Sequence, residues 1–177
     1  MKKVMPRLFE ETVLPHLDAA FNYARWLTRD DAEAEDVVQD ACVRAMRFFS
    51  SLRDADARAW LFTIVRNTWY SRASRAAGSA KAVGLDTTAD DRPDSALDPE
   101  ALLLQQHAVT RVRAALDELP ADFREVIVLR ELEGLSYKEI AAVVRVPLGT
   151  VMSRLARARA HVKAVLDGER PALRRVK

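Results

Sequence analysis

The chain has 177 residues, 49% of them apolar and 31% charged, with a formal net charge of +2. That length suits one domain or two small ones, and the apolar share permits a buried core, which excludes a wholly disordered protein. Only 5 glycines and 7 prolines, set among abundant Ala, Leu, Arg and Glu, argue against the turn-rich pattern of a sandwich or barrel and predict an all-α fold.

From the N-terminus, the opening MKKVMPRLFEE lacks the long apolar stretch of a secretory signal, and no apolar run approaches the roughly 20 residues of a membrane span. The expected location is the cytoplasm, with no membrane contact of the chain's own. Apolar residues then recur at spacings of three and four over residues 5–75 and again over 101–168, which predicts two small helical domains. The first patterned helix spans 30–49. At about 100° per residue, Ala34, Val37, Val38, Ala41, Ala45 and Phe48 fall in one arc and read as core, while Asp36, Gln39, Asp40, Val43 and Arg47 lie opposite. Carboxylates at 33, 35, 36 and 40 point around the helix without a second acidic helix or a histidine to complete a metal site. Cys42, the single cysteine, excludes an internal disulfide and a thiol-rich centre, and reads as a buried inert thiol. The histidines at 16, 107 and 161 have no ligand spacing, so neither a metal nor a cofactor is expected.

The next helix, 57–75, places Trp60, Leu61, Ile64 and Thr68 on one face and Arg58, Phe62, Arg66, Trp69 and Arg72 on the other. No acidic residue occurs from Arg58 to Arg75. Alternating cations and flat rings suit single-stranded nucleic acid, the arginines holding the backbone and the rings stacking on unpaired bases. The competing reading of Phe62 or Trp69 is packing against a neighbouring helix or the linker. Residues 76–100 have no period, many small polar residues and an acidic balance, and read as a flexible linker.

The second domain carries most of the positive charge. Residues 101–177 hold 14 basic against 9 acidic side chains, whereas residues 1–76 hold 12 against 11 and residues 77–100 hold 2 against 6. A basic excess at one end suits a polyanion such as DNA. Within 119–166, Gly134 ends one helix, Ser136 caps the next with Glu139 three residues on, and Arg145-Val146-Pro147 interrupts before a last helix. This is a helix-turn-helix pattern. On the last helix Val151, Leu155, Ala158, Val162 and Val165 form the apolar stripe, leaving Thr150, Ser153, Arg154, Arg157 and His161 to face a major groove. Gly149, at the start of that helix, either admits a phosphate close to the backbone or is a plain helix-start glycine.

Taken in order, E-D-V-V-Q-D at 35–40 with R-A-M-R at 44–47, A-W-L-F-T-I-V-R-N at 59–67, L-P at 119–120, R-E-V-I-V-L-R at 124–130, G-L-S-Y-K-E-I-A at 134–141 and P-L-G-T-V-M-S-R-L at 147–155 resemble the extracytoplasmic-function sigma factors of bacterial RNA polymerase. The resemblance covers nearly the whole chain. It implies a region 2 domain over 5–75, a linker over 76–100 in place of region 3, and a region 4 domain over 101–168. It further implies a non-enzymatic factor that binds the β′ clamp helices and β subunit of core polymerase, recognises and melts promoter DNA, and answers to an anti-sigma factor. Asp36, Gln39, Asp40, Val43 and Arg47 would then dock on polymerase. Arg58, Phe62, Arg66, Trp69 and Arg72, joined through the resemblance by Asn67 and Tyr70, would hold the minus-ten element. Gly149, Thr150, Ser153, Arg154, Arg157 and His161 would read the minus-thirty-five element. One departure stands at Ser71, where the family often places an acidic residue. Two rival readings explain less: a stand-alone helix-turn-helix regulator accounts only for 119–166, and a nucleic-acid-processing enzyme lacks a carboxylate cluster or a nucleophile and base.

Overall fold

A computed structural model describes residues 4–52, 56–78 and 99–168. Every regular element among them is helical: α1 (Val4–Val13), α2 (Leu17–Thr28), α3 (Asp31–Phe48), α4 (Ala57–Gly78), α5 (Pro99–Asp117), α6 (Ala121–Ile127), α7 (Tyr137–Val144) and α8 (Leu148–Leu166), with short 3₁₀ turns after α1 and α3. The all-α expectation holds. The helices α4 and α5 run past the limits drawn from sequence for the linker, whose residues 79–98 lie outside the described ones. Among the described residues no helix is long and apolar enough to cross a membrane.

The first bundle gathers α1 to α3 around α4. Its core holds Val13, Tyr23, Val37, Ala41, Leu61, Phe62 and Val65, with the Tyr23 and Phe62 ring centroids 5.1 Å apart. Two of its helices are capped by acidic side chains from the residue just before them. Asp30 accepts the Glu33 N–H at 2.7 Å to cap α3, and Asp56 accepts the Arg58 and Ala59 N–H groups to cap α4. The arc read on α3 is buried at Ala34, Val37, Ala41 and Ala45, but Phe48 is 59% exposed and Phe49 takes the core place, edge-on to Phe9 at 5.4 Å. The 3₁₀ turn Phe49–Ser51 winds tighter than an α-helix and so shifts the phase of the apolar face at that end.

The second bundle packs α6 and α8 together with α5 and α7 around Leu119, Val126, Leu129, Ile140, Val151 and Leu155. Its helix-turn-helix forms as read. Gly134 ends the preceding helix at φ 68°, and Ser136 and Glu139 complete a reciprocal capping box, with the Ser136 N–H donating to the Glu139 carboxylate at 2.7 Å. Arg145 closes α7 in the left-handed region at φ 56°. After α6 the chain makes a wider π-turn, Val128–Leu132, closed by the Glu133 N–H on the Val128 carbonyl at 3.1 Å. The two bundles pack against each other through α4 on α7 and α2 on α6.

Candidate nucleic-acid interface

On α3 the residues read as a docking face are all exposed: Asp36, Gln39, Asp40, Val43 and Arg47. Val43 and Met46 are 51% and 57% exposed, an apolar pair on a face that is otherwise polar. The two carboxylates have a partner that periodicity did not reveal. Arg72 of α4 donates to Asp40 at 2.8 Å and to Asp36 at 3.0 Å, so a residue expected to meet DNA instead clasps α4 to α3. These carboxylates hold the Arg72 guanidinium above its usual pKa, the Asp40 hydrogen bond foremost. The pair is largely solvated and adds at most about 1 kcal/mol to stability.

On α4 the Arg/aromatic face is divided between contacts. Phe62 is fully buried, which corrects the reading of a solvent-facing ring. The reason is that α4 is the central helix, with α1, α2 and α3 on some sides and α7 of the second bundle on another, so both of its faces find neighbours. Arg58 lies over the Phe62 ring at 5.4 Å and pairs with Glu133 of the second bundle. Arg66 donates to Glu125 through Nε at 2.6 Å and Nη2 at 3.3 Å, and lies over Tyr70 at 4.5 Å. Trp69 is half-buried and Tyr70 exposed, their rings edge to face at 4.6 Å; Asn67 is half-buried beside them. Of the predicted minus-ten set, the structure therefore brings Arg66, Trp69 and Tyr70 together and withdraws Phe62.

Glu125 is the hub of this region and was missed in the sequence. It stands in the R-E-V-I-V run, where its spacing gives no hint of a partner, and yet its carboxylate also accepts the Tyr23 hydroxyl at 2.7 Å. Burial first, and then the adjacent Glu125 charge, push the Tyr23 phenol well above its ordinary pKa of 10.0. The folded state thus favours the protonated phenol. That stabilisation is fully present below about pH 10, and is lost as rising pH ionises the unfolded chain first and then the buried ring. Melting temperature is accordingly expected to fall more steeply above pH 10 in the wild-type chain than in Tyr23→Phe, as followed by circular dichroism across pH. Equal slopes would show that the phenol ionises alike in both states.

On α8, Gly149, Ser153 and Arg157 are exposed and Thr150 is half-buried, and a Cβ built on Gly149 would meet nothing within 4 Å. Ser153 donates to the Thr150 carbonyl at 3.0 Å. Two members of the predicted face depart from it. Arg154 pairs with Asp122 of α6 at 3.1 Å, and His161 is only 6% exposed, its ring nitrogens without a hydrogen bond and 3.8 Å from Glu118 at the nearest. Both lie at the margin of the Val151–Leu155–Ala158 stripe, and because α5 and α6 both pack on α8 the buried arc extends over them. Arg159, outside the predicted set, pairs with Glu131 at 2.6 Å.

Comparison with known proteins matches residues 12–78 to the family model Sigma-70 region 2 and residues 110–162 to Sigma-70, region 4. The chain is 34% identical to the RNA polymerase sigma-H factor of Pseudomonas aeruginosa over 170 residues, covering 91% of this chain and 87% of that one. It is 35% identical to the ECF RNA polymerase sigma-E factor of Escherichia coli K12, covering 81% and 77%. It also matches the ECF RNA polymerase sigma factor SigE of Mycolicibacterium smegmatis at 32% identity over 89% of this chain, but spans only 61% of that relative's length. Among solved structures, the sigma factor RpoE in complex with the anti-sigma factor NepR from Bartonella quintana superposes with a TM-score of 0.73 at 31% identity, covering 92% of this chain and 98% of that one. CnrH in complex with the cytosolic domain of CnrY gives 0.65 at 30%, covering 92% and 90%.

Proposed function

Because the chain belongs to the sigma-70 family, in its extracytoplasmic-function branch, we propose that it binds core RNA polymerase and gives it promoter recognition and strand opening. The observation that carries this reading is the presence in one chain of both modules, region 2 over 12–78 and region 4 over 110–162. Such a factor catalyses nothing; it supplies surfaces. The exposed α3 face, with Gln39, Val43 and Arg47 at its centre, would dock on the polymerase β′ clamp helices, while the second bundle would approach the β subunit. The start of α8, with Gly149, Thr150, Ser153 and Arg157, would enter the major groove at the minus-thirty-five element, where a hydroxyl or guanidinium can bond base edges and phosphates. Trp69 and Tyr70, flanked by Arg66 and Asn67, would receive unpaired bases of the minus-ten element, Tyr70 being exposed and Trp69 half-buried against it. Such a role in transcription would put the chain in the cytoplasm.

The two solved relatives were each captured in a complex, RpoE with the anti-sigma factor NepR and CnrH with the cytosolic domain of CnrY. By that likeness an anti-sigma factor would hold this chain. Exposed apolar side chains on both bundles, among them Val43, Met46, Val109 and Val112, supply area for it.

The reading is tested by titrating core polymerase with the chain and following run-off transcription from promoters enriched in its presence. Gln39→Ala with Arg47→Ala is expected to lower affinity for core about fivefold or more while changing folding stability by less than about 0.5 kcal/mol, because both side chains are exposed. Unchanged affinity would remove the α3 face from polymerase docking. On duplex promoter, Trp69→Ala is expected to leave core binding intact and reduce permanganate reactivity of unpaired thymines; full reactivity would remove that ring from strand opening.

A further inference from the structure

Asp36 and Asp40 stand one turn apart on α3, and with Val43 and Arg47 they fall in a single stripe of the proposed docking face, at spacings of four, three and four residues. Like charges so placed repel each other, and aspartates left in water sample several rotamers. Neither is left so. Arg72 reaches over from α4 and gives one Nη to each, Nη1 to Asp40 Oδ2 at 2.8 Å and Nη2 to Asp36 Oδ2 at 3.0 Å. Arg72 uses only one oxygen of each carboxylate, and their side chains remain 61% and 52% exposed, so both can still accept hydrogen bonds from outside the chain.

We infer that Arg72 is a positioning residue of the polymerase-docking face: its guanidinium holds Asp36 and Asp40 in the orientation in which their remaining oxygens meet basic side chains of polymerase. The inference rests on the proposed docking role of α3 and adds to it a residue of another helix, which acts through the two carboxylates. A guanidinium is a rigid planar fork, so one group fixes the separation of two anions; a lysine ammonium, a single point charge on a flexible stem, does not. Holding the pair before docking removes part of the ordering cost that association carries. Charge by itself argues the opposite. Arg72 lessens the negative charge that a basic partner meets, so on attraction alone its removal would tighten binding. Orientation and attraction therefore predict effects of opposite sign. The contact also gives Arg72 a use that needs no DNA, although the pattern of α4 alone assigned it to the minus-ten strand.

The test titrates core polymerase with the full chain by isothermal titration calorimetry, with no DNA present. Arg72→Ala is expected to lower affinity for core about fivefold, the scale of ordering one or two side chains. Arg72→Lys, which keeps the charge but not the fork, is expected to fall between that variant and the wild type. Asp36→Ala with Asp40→Ala is expected to weaken binding by itself, and adding Arg72→Ala to it to change affinity by less than about twofold. Tighter binding by Arg72→Ala, unchanged affinity, or a loss that persists undiminished without the carboxylates would overturn the inference. Circular dichroism at the titration temperature shows whether each variant is folded. If Arg72→Ala is not, Arg72→Lys is read in its place: a loss of about twofold that vanishes without the carboxylates supports the inference, and no loss overturns it. Carboxylate variants that bind core as tightly as the wild type would overturn this inference alone, whereas failure of the wild-type chain to bind core would count against the proposed function itself.

Discussion

Phe62→Ala is expected to destabilise the first bundle by about 3–5 kcal/mol, the cost of emptying a large apolar site that cannot fully collapse. For a bundle of this size that loss lowers the melting temperature by at least about 12 °C. The ring is fully buried between Tyr23 and its α4 neighbours, with Arg58 laid over it, so truncation removes aromatic contact and leaves a void beside the Tyr23–Glu125 hydrogen bond. Thermal and urea unfolding of the variant measure it directly. A loss below about 1 kcal/mol, coupled with a defect in strand opening, would return Phe62 to the solvent-facing set.

The other large effect concerns DNA. Arg157→Ala is expected to weaken the polymerase–promoter complex by about 1–3 kcal/mol if the side chain reads a base, roughly 5- to 150-fold, and to relax preference at one position of the minus-thirty-five element. Arg157 is exposed on α8 and has no ion-pair partner among the described residues, so its removal should leave folding nearly unchanged. A phosphate contact would instead lower affinity alike on all sequences and flatten the salt dependence by about one ion. Arg154→Ala is a contrasting case, since the Asp122 pair ties that residue to α6 and part of its effect falls on stability. Affinities on altered minus-thirty-five sequences at several salt concentrations separate these outcomes, and no change in either would take Arg157 off the DNA.

What could be read from the sequence was whatever a helix decides by itself. The arc of Ala34, Val37, Ala41 and Ala45, the Ser136–Glu139 capping box and the stripe of Val151, Leu155 and Ala158 all depend on neighbours three or four residues away. The misreadings at Phe62, Phe48 and His161 share another origin: each lies at the edge of a face whose burial is set by a helix distant in sequence or by a change of helical pitch. The roles of Glu125 and Glu133 were hidden for the same reason, because a carboxylate within a helical run carries no mark of an arginine 59 or 75 residues earlier. Motif order identified the family, but it did not say which members of the arginine face are accessible.

The π-turn at Val128–Leu132 acts as a phase shifter. It takes up one residue more than an α-turn closing over the same place, and each residue in a helix is worth about 100° of rotation. Glu133 follows directly on that turn, so its bearing toward Arg58 is set by the surplus residue as much as by its own identity. Winding the same five residues as a regular α-helix, with none deleted, would swing Glu133 by about 100°, with no charge altered. Grafting this segment between relatives therefore has to conserve its wide turn, a property that comparing residue identities alone does not protect.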